Sequence, residues 1–175
     1  QGARPLFFLD YVATGRLEPG VMDKLVAGMA KACRENDLVL IGGETAEMPG
    51  FYGPGDYDIS GTIVGVVERE NIIDGKKIKP GTIILGLPST GLHTNGYSLA
   101  RKVLFDVAGY KVDTVVDGMD KSIGEALAMP HRSYYPSLID LCNKKIIQEI
   151  AERTSAICLR LTGISSPSAP LRFST

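Results

Sequence analysis

Apolar positions along this chain change period several times, and each change marks an element. Pro5 to Leu9 is an unbroken apolar run closed by Asp10, the pattern of an interior strand. Val21, Leu25, Met29 and Cys33, with Met22, Val26 and Ala30, fall on one helical face; Pro19 suits the first turn and Asn36-Asp37 the end. Leu38 to Ile41 is the next strand, so residues 5–41 predict a strand–helix–strand crossover. Tyr57 to Val67 is a long strand in which Gly61 and Gly65 predict a bulge or a closely packed backbone. Thr82 to Leu87 is a further buried strand. Helices are predicted over 97–107, 120–129 and 136–151, the last two joined through Pro130-His131-Arg132.

Glycine and proline punctuate the rest. Pro49, Gly50, Gly53, Pro54 and Gly55 make residues 49–56 a loop, and Asp74-Gly75 turns a polar connector that ends at Pro80-Gly81, the best internal boundary. After Ala151 the character changes. Ser165-Ser166-Pro167-Ser168-Ala169-Pro170 has no periodicity, and residues 152–175 are expected to be a loosely ordered tail.

Composition narrows the function classes. The chain has 175 residues, 44% of them hydrophobic, which is enough for a core in one domain or parts of two. With 19 basic against 20 acidic residues there is no electrostatic footprint for nucleic acid or an anionic membrane, and the absence of Trp does not suggest base stacking. The three cysteines, Cys33, Cys142 and Cys158, are widely spaced; they point to core thiols rather than to zinc or a disulfide framework. No apolar run is long enough to cross a membrane and no secretory signal is visible, so the expected compartment is the cytoplasm.

Two segments carry chemistry. Gly42-Gly43-Glu44-Thr45-Ala46-Glu47-Met48-Pro49-Gly50 follows a strand with paired glycines, then two carboxylates and a hydroxyl within four residues. Such acids at a strand's end hold a metal or polar ligand, or else form a solvated loop with helix-start acids. Ser89-Thr90-Gly91-Leu92-His93-Thr94-Asn95-Gly96 precedes a helix, where backbone N–H groups can meet an anion; an ordinary capped loop is the alternative. His131-Arg132 is either a phosphate contact or an exposed loop pair.

Together these blocks resemble a family. Pro5-Leu6-Phe7-Phe8-Leu9-Asp10-Tyr11, Ala13-Thr14-Gly15, the Gly42–Gly50 string, Tyr57-Asp58, Val64-Gly65-Val66-Val67-Glu68 and Ser89 to Leu99 stand in the order found in aminoimidazole ribonucleotide synthetase, also called phosphoribosylformylglycinamidine cyclo-ligase. The resemblance covers residues 1–151. It implies an α/β fold of the PurM-like, two-domain synthetase type, present here in part. Residues 1–80 would be the later portion of the ATP-binding, dimerising N-terminal domain, and residues 81–151 the start of the second domain.

The implied activity is ATP- and Mg²⁺-dependent closure of formylglycinamidine ribonucleotide to aminoimidazole ribonucleotide in purine synthesis, by a homodimer. ATP phosphorylates the formyl oxygen, the neighbouring nitrogen attacks that carbon, and phosphate leaves as the ring closes. Such chemistry needs charge neutralisation around phosphates more than a nucleophilic side chain. The resemblance assigns Asp10 and His93 to catalysis, Asp10 and Glu44 to the metal, and Gly42, Gly43, Glu44, Thr45, Glu47 and Asn95 to ATP or substrate. The family's glycine-rich amino-terminal segment and the continuation expected after Ala151 have no counterpart in the sequence, so an internal fragment with a divergent tail is expected. Two alternatives stand: a paralogous selenophosphate, thiamine phosphate or hydrogenase-maturation synthetase, and a non-catalytic chain that only dimerises or binds nucleotide.

Overall fold

The computed structural model describes residues 1–153 and 156–161, those from residue 151 on by their backbone alone. Contacts divide the described residues into two units, one of Gly2–Ile72 with Tyr135–Ile139, the other of Gln1, Ile73–Tyr134 and the described residues from Asp140 on.

The first unit is built on β1 (Arg4–Thr14), α1 (Pro19–Glu35), β2 (Val39–Glu47) and β3 (Tyr57–Val66), in a sheet of order β2-β1-β3. β1 and β2 are parallel and joined through α1, the crossover that the apolar periods predict. α1 carries Pro in its first turn. It ends in a Schellman motif: Leu38 N–H donates to Cys33 O and Asp37 N–H to Arg34 O, with Asp37 at φ 53°. β3 returns antiparallel on the other side of β1.

Both leading strands run past their apolar stretches. β1 continues from Asp10 to Thr14, and Val12, Ala13 and Thr14 are its fully buried residues. β2 continues through the motif expected to be a post-strand loop: Gly42 to Glu47 pair one for one with Leu9 to Thr14. The loop expectation was wrong because ladder hydrogen bonds to β1 are satisfied by backbone whatever the side chains. A register shift between Phe8 and Leu9 absorbs the extra residue Ile41. In β3 the predicted close approach is at Gly61, where an added Cβ would fall 2.0 Å from Cζ of Phe8. The Phe8 ring lies across that position, and only glycine leaves room for it.

The second unit contains β4 (Ile83–Pro88), α2 (Tyr97–Arg101) continued by a π-helical turn over Lys102–Val107, and α3 (Ile123–Leu127). α3 is shorter than the 120–129 helix expected, starting only where Ser122 and Glu125 close a capping box. α4 (Tyr135–Asn143) is shorter still than the 136–151 expectation. It too ends in a Schellman motif, with Ile146 N–H donating to Leu141 O, Lys145 N–H to Cys142 O and Lys145 at φ 57°. The following residues leave the helix and form β5 (Ile147–Arg153), a segment holding Ile147 and Ile150.

β6 (Ala156–Leu161) lies between β4 and β5, antiparallel to both. This departs from the loose tail expected after Ala151. Ala156-Ile157-Cys158-Leu159 is an apolar run of strand length, and a strand with partners on both edges satisfies its whole backbone. Residues 154–155 and the Ser/Pro-rich stretch from 162 lie outside the described residues. The core-thiol reading holds for Cys33, which is 6% exposed, and burial pushes the thiols of Cys33 and Cys142 up. Cys158 lies where only backbone is described.

Candidate functional site

The glycine-rich acidic motif sits on a strand, so the ladder fixes which side chains share a face. In the parallel pair Asp10 is opposite Gly43, Tyr11 opposite Glu44, and Val12 opposite Thr45. Paired residues of parallel strands point the same way and neighbours along a strand point oppositely. Asp10, Thr45 and Glu47 therefore belong to one face, and Glu44 to the other with Tyr11. Gly43 confirms the assignment: a Cβ there would lie 2.7 Å from Oδ1 of Asp10 and closer still to its carbonyl oxygen. The second glycine is the space in which the Asp10 carboxylate lies.

The structure thus brings Asp10 onto Gly43 and does not bring Asp10 and Glu44 onto one ion. Among the described residues no group of three or more His, Cys, Asp or Glu side chains converges as a metal cage would. A joint Asp10–Glu44 site does not fit this arrangement. Either carboxylate can still meet Mg²⁺ in the manner usual for nucleotide sites, where one or two carboxylates join substrate phosphates and water. Asp10 is half-buried and Glu44 exposed.

Glu47 has a partner. Its Oε1 accepts from the backbone N–H of Leu17 at 3.1 Å, tying the end of β2 to the segment that enters α1. That segment walls an open groove lined by Arg16, Leu17, Glu18, Pro19, Val21 and Lys24. The buried Thr14 hydroxyl donates across the same sheet end to the Asp56 carbonyl at 2.8 Å, and Met48 N–H donates to Thr14 O. Position 47 is thereby a strand-end clamp, a role its sequence neighbours do not announce.

In the second unit the Ser89–Gly96 segment is held from several directions. Thr90 Oγ1 donates to Pro130 O at 2.9 Å, Tyr134 Oη donates to Pro88 O at 2.8 Å, and Tyr97 Oη lies 3.1 Å from the carbonyls of both Leu92 and Leu127. His93 is 3% exposed. The His131 ring stacks on it at 3.9 Å between centroids, tilted by 31°, and the Tyr134 ring meets it edge-on at 5.8 Å. Asn95 is exposed beside Thr94, with 3.4 Å between Nδ2 and Oγ1, and α2 has only five residues. The two sequence candidates therefore part company, His93 inside and Asn95 outside. Sequence reasoning named His131 but missed Tyr134. A contact between positions 41 apart has no local periodicity to announce it.

The fold is mixed α/β, with the acidic motif carried on a strand beside β1. Residues 1–67 match the family model described as AIR synthase related protein, N-terminal domain. Over 153 residues, 87% of the chain, it is 51% identical to the phosphoribosylformylglycinamidine cyclo-ligase of Carboxydothermus hydrogenoformans, of which it covers 45%. It is 51% identical to the Geotalea daltonii protein of the same name over 88% of the chain and 44% of that relative. By sequence the chain is similar to these cyclo-ligases, and it spans about 45% of the length of the curated relatives it matches.

A crystal structure of the hydrogenase maturation protein HypE superposes with a TM-score of 0.56 at 21% identity, covering 86% of this chain and 42% of that one. A chain in a crystal structure of a HypE–HypF complex gives a TM-score of 0.51 at 20% identity, over 86% of this chain and 44% of that one. These show a shared fold. Among the described residues no helix is long and apolar enough to cross a membrane.

Proposed function

We propose that this chain is part of an ATP-dependent cyclo-ligase that converts formylglycinamidine ribonucleotide to aminoimidazole ribonucleotide. The observation that carries the reading is the 51% identity to a protein of that name across 87% of the chain. On this reading residues 1–80 belong to an ATP-binding and dimerising domain and 81–151 begin a second one. The protein works in the cytoplasm as a homodimer. The gap in identity between the cyclo-ligases and HypE speaks against the hydrogenase-maturation alternative.

ATP transfers its γ-phosphoryl group to the formyl oxygen, the neighbouring nitrogen attacks that carbon, and phosphate leaves with the oxygen. Residues of the chain supply position and charge. Thr45 shares the Asp10 face and is a donor for a phosphate oxygen. Glu44 or Asp10 would hold Mg²⁺ together with the ATP phosphates, and the bound ion would neutralise their charge. Asn95, exposed on the 89–96 segment, is a donor for the ribonucleotide.

The test mixes the purified chain with ATP, Mg²⁺ and formylglycinamidine ribonucleotide and looks for aminoimidazole ribonucleotide. Absence of product from folded chain would remove activity from this chain. Calorimetry of Mg²⁺–ATP with Glu44→Ala and, separately, Asp10→Asn then assigns the ion. The variant that loses affinity names the ligand, and unchanged affinity in both sinks the proposed metal site.

A further inference from the structure

Asn95-Gly96 meets the conditions for a reaction of the chain on itself. An asparagine side-chain carbonyl can be attacked by the backbone nitrogen of the next residue, and a glycine there, having no Cβ, leaves the approach unhindered. Asn36, Asn71 and Asn143 are followed by Asp, Ile and Lys, so this dipeptide is unique in the sequence. The structure leaves both reacting groups open. Asn95 is exposed, and its side chain makes one long contact, 3.4 Å from Nδ2 to Thr94 Oγ1. Gly96 is also exposed and stands just before α2 at φ 97°, outside the helical ladder. Among the described residues its N–H meets no acceptor. Asn36 is the contrast: its Nδ2 donates to Ala32 O at 2.8 Å, and the next N–H, of Asp37, donates to Arg34 O at 3.3 Å.

We propose that Asn95 is a self-modification site, deamidating through a succinimide formed with Gly96. The Gly96 nitrogen gives up its proton and bonds to Cγ of Asn95. The Cγ–Nδ2 bond breaks, and ammonia leaves with that proton. Water then opens the five-membered ring. Attack at Cγ gives aspartate; attack at the backbone carbon of residue 95 gives isoaspartate, with the chain running through Cβ. Water is the one co-reactant. Either product replaces an amide, which both donates and accepts, by a carboxylate that only accepts. The modification stands without the cyclo-ligase reading. Its consequence rests on that reading: the donor offered to the ribonucleotide is lost, and a negative charge faces its phosphate.

The test holds the purified chain in mildly alkaline and mildly acidic buffer, measures ammonia released, and locates the amide-to-acid change by peptide mass spectrometry. Conversion at position 95 should exceed that at Asn36, Asn71 or Asn143 several-fold and be faster in alkali, where the Gly96 N–H is lost more readily. An isoaspartyl methyltransferase should label the product at position 95. Asp74-Gly75 and Asp117-Gly118 can close the same ring, but they release water rather than ammonia. Asn95→Gln should bring ammonia release down to the level of the other asparagines. The same measurement in urea removes the fold, and folded chain, checked by circular dichroism, should convert within several-fold of that rate. Conversion in urea alone, or equal conversion at all asparagines, overturns the proposal. Failure of the cyclo-ligase reading would look different, with no aminoimidazole ribonucleotide from fresh chain while ammonia and isoaspartate still arise at position 95.

Discussion

Replacing Gly43 by alanine isolates the contact on which the acidic motif is built. The new Cβ would sit 1.9 Å from the Asp10 carbonyl oxygen and 2.7 Å from its Oδ1. The first distance is roughly 1.5 Å short of ordinary van der Waals contact, and backbone on a paired strand cannot swing aside as a side-chain tip can. β1 and β2 would have to part at Asp10–Gly43, near the fully buried stretch Val12–Thr14. Overpacking of this kind costs about 1–3 kcal/mol or more, against a total stability of about 5–15 kcal/mol for a domain. At about 2–4 °C per kcal/mol for chains of this length, Tm should fall by roughly 2–12 °C.

The assay is a calorimetric melt of the variant beside Gly28→Ala. Gly28 is an exposed glycine within α1 where an added Cβ meets nothing within 4 Å. That control should gain about 1 kcal/mol in helix propensity and raise Tm. A Gly43→Ala Tm equal to or above wild type would refute the claim that the second glycine exists to admit Asp10.

Four further outcomes follow from single contacts. Tyr134→Phe leaves the Pro88 carbonyl without its donor and should cost about 1–3 kcal/mol in chemical denaturation; no loss would remove the clamp on the 88–93 segment. Glu47→Leu removes the acceptor of Leu17 N–H and should cost about 0.5–1.5 kcal/mol, with hydrogen exchange at Leu17 accelerated, whereas unchanged exchange there would count against the strand-end clamp. Lys145→Gly relieves a left-handed residue at φ 57° and should stabilise by about 1 kcal/mol in the same denaturation; a fall would mean that the lysine side chain matters more than its backbone. The Glu125 carboxyl is held below its usual 4.5, first by the backbone N–H of Ser122 and then by its hydroxyl. A depressed carboxyl stabilises above its unfolded value and loses that effect as pH falls through the folded one. The stability difference between wild type and Glu125→Gln should therefore be full above about pH 4.5 and fade below it; a difference independent of pH would dismiss the capping box.

What the residues alone determined is local. Periodicity placed β1, α1, β2, β3 and β4, because apolar spacing and Pro or Asn-Asp signals act within a few residues. The order of short blocks pointed to the cyclo-ligases, since the string from Gly42 to Gly50 is specific whatever its conformation. Tertiary structure decided the rest. Pairing with β1 drew Gly42–Glu47 into a strand, and the register then put Asp10 and Glu44 on opposite faces. A left-handed Lys145 stopped α4 and released the β5 residues into a sheet with β6, where the sequence reading had continued the helix to residue 151. The stacking of His131 on His93, and of Tyr134 against both, depends on segments about 40 positions apart. Sequence names the groups that can do chemistry; only the ladder and the packing decide which of them face the same way.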